Sequence, residues 1–383
     1  MHRPRIPTVS WLELLQDLVM VVLAITLFSG LQYGWGTQWA IWYAAAILVA
    51  YGSWVSWVFL NNRFPSQGLL AQATTVVWIF GAVLASGGSL WENWLSTTTL
   101  NIGLALSFAA LSARHATIAM THPDARTPSL AAASLSGAAT IVLLLGAAEI
   151  FPEYLAMGIG PLVALVGLLV VYPRLLPKTI VVNVAHLSER FGQFVLILIG
   201  DGLLEIILNT ERGGTTTVLA IAEAVAVAYL LWRAYFIYVL PAGPPPSMSR
   251  LQGWVSAHLV VVVGLGLTSA TIAAEAVPLD DELLSHMEAF TRAVGVGLTL
   301  ALVYVGLALT LVASGGRSRR VAAPFFAIAV ILIVAHFVAP GIINLVTGLL
   351  VVIVMCLVDF AAHRLRRRNS GATTSAEDAT PAA

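Results

Sequence analysis

Charge is scarce in this sequence. Of its 383 residues only 10% are Asp, Glu, Lys or Arg, against about a quarter in an ordinary soluble protein. That shortage excludes a conventional soluble domain. The 19 basic and 19 acidic residues cancel, so no bulk charge calls for a nucleic-acid partner. Cysteine is almost absent. The single Cys356 lies inside an apolar segment, which rules out a disulfide within the chain and any multi-cysteine metal site. There is no phosphate-binding Gly-Lys-Ser/Thr loop, no His-Glu-x-x-His and no Gly-x-Ser-x-Gly. These absences argue against an ATP-driven pump, a recognisable hydrolase and a bound cofactor.

What the chain does have is apolar length. It is 59% hydrophobic with a mean hydropathy of +0.90, the composition of an all-α polytopic membrane protein. Twelve segments reach the roughly 20 residues needed to span a bilayer. They run at about 11–31, 39–60, 69–88, 96–113, 129–149, 154–172, 186–209, 216–240, 254–274, 289–313, 321–338 and 342–362. The basic start Met-His-Arg-Pro-Arg does not lead a cleaved signal. Its apolar run contains Glu13 and Asp17, and no small-x-small site follows. The first segment is expected to stay as a membrane helix.

Loop charge supports this count. With the N-terminus inside, the inner segments hold Arg3, Arg5, Arg63, Arg114, Arg126, Arg174, Lys178, Arg250, Arg317, Arg319 and Arg320, and the end of the chain adds Arg364 and Arg366 to Arg368. The outer loops hold mainly acids, with Arg212 and Arg292 as exceptions. A miscounted helix would invert every later loop, so the bias predicts a multi-pass plasma-membrane protein with both ends cytoplasmic.

The sequence also repeats itself. Trp11 to Val22 lies over Leu187 to Leu198, placing Glu13 on Glu189. Trp54 and Trp57 fall on Trp232 and Tyr235, Ala71-Gln72 on Ala257-His258, and Pro128 on Pro324. This order predicts two parallel six-helix repeats, 1–175 and 176–365, followed by a disordered cytoplasmic tail over 366–383. Pro241 to Pro246 reads as a stiff connector.

The candidate chemistry lies in the first helix of each half. On segment 7, Gln193, Arg190, Asp201 and Glu205 fall about 40°, 100°, 120° and 160° from Glu189, all on one half of the surface. Asp201 sits about 18 Å beyond Glu189, and Glu205 about 6 Å further. A charge near the middle of a membrane helix costs about 2.5–3.5 kcal/mol, and carboxylates spread through the depth suit a cation or proton pathway. Gly200 and Gly202 allow close helix packing or a local break. Glu13 and Asp17 share a face at i, i+4 and need a nearby cation. Arg190, Arg63 and Arg233 are the candidates, and a static inter-repeat salt-bridge cluster is the competing reading. Arg233 is expected to snorkel, Asp359 to pair with Arg364 or Arg366, and His258 and His336 to serve packing or a proton relay. The tryptophans at 35, 39, 42, 54, 57, 91 and 94 read as an aromatic belt.

Leu12-Glu13-Leu14-Leu15-Gln16-Asp17-Leu18-Val19-Met20-Val21 resembles the opening motif of the bacterial low temperature requirement protein A family. Glu189-Arg190-Phe191-Gly192, with Ile199-Gly200-Asp201, resembles that family's second motif, and Trp54-x-x-Trp57 with Asn62-Arg63-Phe64 and Trp232-x-x-Tyr235-Phe236 fit its other signatures. The resemblance runs from about residue 8 to 360. Leu15-Gln16 stands where the family has paired aromatics, Asp201 where it has Glu, Ile237 where it often has Asp, and Gln72 where an Arg is expected. The resemblance implies an integral membrane protein tied by name to growth in the cold. A fainter similarity, with the spacing from Asp17 to Thr26 off by one, links helix 1 to the first-helix signature of two-repeat endolysosomal potassium/proton channels.

These readings lead to an expected function: a transporter or channel linked to a cation or proton, with a pathway between the repeats through Glu13, Asp17, Glu189, Arg190, Asp201 and Glu205. The bilayer and a small solute or cation are its expected partners. Two alternatives differ in class. One is a non-transporting stress or envelope factor acting through partners. The other is a membrane-embedded enzyme acting on lipid, which would need carboxylates or histidines converging at one depth.

Overall fold

The N-terminal helix starts because Ser10 and Glu13 cap it reciprocally. Ser10 Oγ accepts the Glu13 amide at 3.3 Å, and Glu13 Oε2 accepts the Ser10 amide at 2.9 Å, which satisfies donors that a helix start leaves free. In the computed structural model, residues 9–33, 37–65, 68–87, 97–209, 215–276, 281–316 and 318–338 are described. Among them lie eleven long helices and no strand. They are α1 (Trp11–Tyr33), α2 (Thr37–Arg63), α3 (Leu69–Gly87), α4 (Thr97–Thr121), α5 (Arg126–Ala147), α6 (Glu153–Val166, continued to Leu175), α7 (Val184–Asn209), α8 (Thr215–Arg233, continued to Ala242), α9 (Met248–Ala276), α10 (Asp281–Ser314) and α11 (Ser318–Val338). The expected twelfth segment, 342–362, with Cys356 and Asp359, and the tail 366–383 lie outside the described residues.

Ten of these eleven are long and apolar enough to cross a membrane. The other is α7, whose 26 residues span about 39 Å but carry the acidic groups. The all-α polytopic membrane fold is therefore as the composition implied. Two helices change pitch near their ends. α6 widens into a π turn over Gly167–Val171 just before Pro173, and α8 does so over Ala234–Val239 just before Pro241. Each proline removes a backbone donor and crowds the carbonyl four residues back, and a wider turn accommodates both effects. α10 bends at Gly295, whose φ of 47° and ψ of 151° interrupt the helix.

Helix neighbours follow one pattern. α3 lies against α4 and α4 against α5. Similarly, α9 lies against α10 and α10 against α11. α1 contacts α2 and α3, as α7 contacts α8 and α9. Glycines let the tightest pairs approach. A Cβ added at Gly103 of α4 would meet the Gly81 carbonyl of α3 at 2.5 Å, and one at Gly306 of α10 would meet the Val261 amide of α9 at 2.7 Å. α5 and α11 lie at the periphery and turn apolar side chains such as Ile141, Leu144, Val330 and Val334 outward, as lipid-facing helices do. α1 and α7 touch each other in the middle of the bundle, and the functional side chains gather at that contact.

Candidate functional site

α7 starts at Asn183, whose Oδ1 accepts the His186 amide at 3.2 Å in the manner of an N-cap. The end of α2 fixes this start. Asn62 Nδ2 donates to the Asn183 carbonyl at 2.9 Å, and Asn62 Oδ1 accepts the Asn183 amide at 2.8 Å. The capped starts of α1 and α7 thus lie side by side, and their first two turns face one another.

Arg190 fills the space between them and has no exposed surface. Its Nε donates to Asp17 Oδ2 at 2.8 Å and its Nη2 to Asp17 Oδ1 at 2.6 Å, a two-point grip on one carboxylate. Nη2 also reaches Gln16 Oε1 at 3.2 Å. Nη1 stands 3.0 Å from Glu13 Oε1, close enough for an ion pair without the alignment of a hydrogen bond. On the other side of Glu13, His186 Nε2 lies 3.5 Å from Oε2. Asp17 and Gln16 are as deeply buried as Arg190. Two carboxylates therefore share one arginine, with a histidine at the edge.

An aromatic layer covers this cluster. Trp54 Nε1 donates to Asp17 Oδ1 at 2.7 Å. Its ring stacks on Phe194 at 4.3 Å and meets the edge of Phe191 at 5.1 Å. Phe191 in turn meets Trp254 and His258 at 4.8 and 4.9 Å. His258 has one tautomer open to it when neutral. Nδ1 lies 2.8 Å from the Trp254 carbonyl, which only accepts, so Nδ1 carries the proton and Nε2 accepts from the Tyr235 hydroxyl at 3.0 Å. With both ring nitrogens engaged, His258 fills a packing role here.

The structure thus brings Glu13, Asp17 and Arg190 together. Glu189, one residue earlier on α7, is exposed, and Gln193 Nε2 donates to its Oε1 at 3.4 Å. Asp201 lies on the same helix about 16 Å beyond Arg190. It is partly buried and, among the described residues, has no hydrogen-bond or ionic partner. Gly202 beside it is the close-packing position, because a Cβ there would strike Ser269 of α9, whereas Gly200 faces open space. Glu205 continues α7, but its side chain lies outside the described residues. A cavity of about 30 Å³, lined by Leu198, Gly202 and Leu203 of α7, Val227 of α8, and Thr268 and Ser269 of α9, opens beside this part of α7. That volume suits about one water.

Two expectations change. Arg63 does not serve Glu13 and Asp17. Its Nη2 lies 3.9 Å from Met248 Sδ and its guanidinium sits over the Phe59 ring at 5.1 Å. Nor do the tryptophans all form a belt: Trp54 and Trp57 are fully buried and Trp42 nearly so. Trp35, Trp91 and Trp94, and the side chain of Trp39, lie outside the described residues. A tryptophan near a helix end gives no sequence signal that separates a belt position from a buried indole donor. Gln16, Trp54, Asn62, Asn183 and His186 were therefore not legible as members of this cluster.

Trp54→Phe is expected to lower stability by about 1–3 kcal/mol, since Asp17 loses a buried donor while the ring contact with Phe194 survives. Thermal unfolding of the purified protein in detergent measures this. An unchanged Tm would mean that the indole hydrogen bond carries no weight.

The family comparison now has a geometry to attach to. Residues 8–358 match the family model described as bacterial low temperature requirement A protein (LtrA). The chain belongs to the LtrA family. No curated protein matches it. The match takes in both motif helices, and these two helices, α1 and α7, share Arg190. In this LtrA chain the departure at Gln16 lies within the cluster, where the amide replaces an aromatic and supplies a neutral acceptor to Arg190. Leu15, which stands for the other aromatic of that pair, is exposed.

Proposed function

We propose that this LtrA protein moves a cation or a proton across the plasma membrane, along a route between its two halves. One observation carries the reading. Glu13 and Asp17 share one arginine, Arg190, so the cluster sets two carboxyl groups against a single guanidinium. A carboxylate without a cation of its own is costly inside a membrane bundle, and a cation that comes to Glu13 relieves that cost. Such a centre gives a passing cation a place to bind between the two helices, which is what coupled movement requires. Asp201, alone in the other half of α7, would be the next station.

The matching neighbour patterns of α1 to α5 and α7 to α11 favour two parallel repeats. The concentration of arginines at the end where α1 and α7 begin favours a cytoplasmic location for both termini. No enzymatic step belongs to this reading.

Purified protein in liposomes, tested separately under K⁺, Na⁺ and proton gradients, is expected to carry flux above protein-free liposomes in at least one. One feature favours a second reading, that of a non-transporting membrane factor acting through partners. Trp54, Phe191 and Phe194 are fully buried and fill the space beside the ion cluster, as a static clasp would. Silence under all three gradients would support that alternative.

A further inference from the structure

We propose that a second site, at the basic end of the first half, binds a phosphate-type oxyanion between Arg63 and Arg114. Both guanidinium groups belong to buried residues, with exposures of 9% for Arg63 and 4% for Arg114. Among the described residues neither has a carboxylate within ion-pair distance. The acid nearest to Arg114 along the chain, Asp124 on the turn after α4, is exposed and pairs with neither arginine.

The two arginines belong to one neighbourhood. Arg114 Nη2 donates to the carbonyl of Phe64, the residue after Arg63, at 2.9 Å. Tyr172 of α6 is close enough to Arg63 to interact electrostatically. The same Tyr172 ring meets the edge of His115 at 4.8 Å, and its hydroxyl lies 3.3 Å from Ser129 Oγ. His115 follows Arg114 in α4. Among the described residues the buried Arg114 Nε–H has no partner, and the ring nitrogen His115 Nδ1 has none either.

Buried charges are ordinarily paired. The carbonyl end of α2 offers about half a negative charge, well short of two guanidinium groups. Met248 sulfur and the Phe59 ring are weak partners for Arg63. An oxyanion supplies what is missing, because it accepts several N–H groups at once and matches the planar fork of arginine. A phosphate bears this chemistry either as a free ion or as the headgroup of an anionic lipid. Asn62, next to Arg63, belongs to the Arg190 cluster, but the oxyanion site does not depend on the transport reading.

The test uses the full-length purified protein. Its Tm is followed while inorganic phosphate is titrated against chloride, and separately in nanodiscs of phosphatidylglycerol against phosphatidylcholine. The same is done for the Arg63→Gln/Arg114→Gln double variant. A rise in Tm with phosphate that the double variant lacks assigns a free oxyanion. A rise confined to phosphatidylglycerol, again absent in the double variant, assigns a lipid headgroup. Equal behaviour of the two proteins, or no rise in either arm, overturns the proposal. If the double variant fails to fold, Arg114→Lys carries the comparison, since it keeps the charge and loses the fork. It should bind about tenfold more weakly, the loss of roughly one charge-assisted hydrogen bond. Unchanged binding in that variant likewise overturns the site.

Discussion

Replacing Arg190 with methionine is expected to destabilise the protein by about 3–5 kcal/mol, the usual result of removing one partner from a buried ion pair. The size of the effect comes from what is left behind. Asp17 has no exposure, and among the described residues the Trp54 indole is the donor to its side chain that remains without Arg190. Glu13 is better placed, because Ser10 and His186 still approach it and its side chain is 14% exposed. The damage should therefore centre on Asp17. That can be checked by combining Arg190→Met with Asp17→Asn, which removes the stranded charge. The double variant should recover most of the lost stability, because a neutral replacement of a whole buried pair is often harmless. Unfolding in detergent across the four proteins of this cycle gives the coupling directly. A loss under about 1 kcal/mol in Arg190→Met, or no recovery in the double variant, would mean that this ion pair does not hold α1 to α7.

The contrast between Glu189 and Arg190 shows how far the sequence reaches. Helix periodicity places them about 100° apart, and that is all it can do. Which of the two faces the neighbour depends on how α7 is rotated against α1, α8 and α9, and that rotation is set by packing across the bundle. Arg190 turned inward and Glu189 outward. For the same reason Arg63 was a reasonable partner for Asp17 by depth alone, yet α2 presents Trp54 to Asp17 and turns Arg63 toward Met248.

Helices were legible because a bilayer forces backbone groups to bond within the segment, so an apolar run of the right length has one solution. Local exceptions escaped. The bend at Gly295 has no proline beside it, and glycine in a membrane helix is ordinarily a packing residue. The alignment of the two halves also has a limit. Glu13 faces Arg190, while Glu189, its counterpart in the aligned sequences, is exposed. The charge cluster is asymmetric, built from two acids of α1 and an arginine of α7.

That asymmetry makes Asp201 the sharpest functional probe. Asp201→Asn is expected to reduce liposome flux to the level of protein-free vesicles while the protein stays folded. Among the described residues Asp201 makes no hydrogen bond or ion pair, so an isosteric amide removes no contact. The stability change should stay within about 0.5 kcal/mol, as for substitutions that disturb no packing or network. Among the described residues a structural role has no polar side-chain contact to act through. A transport role needs none, because a carboxylate in the far half of α7, about 16 Å beyond Arg190, can receive a cation or proton and an amide cannot. A small cavity beside Gly202, the residue after Asp201, holds the Thr268 and Ser269 side chains and room for about one water. Asp201→Glu supplies the control. It restores the residue that the family motif carries and keeps the carboxyl group, so flux should survive. Flux that persists in Asp201→Asn would remove Asp201 from the pathway. Loss in both variants with an unchanged Tm would mean that this position needs a carboxylate at the length of an aspartate side chain.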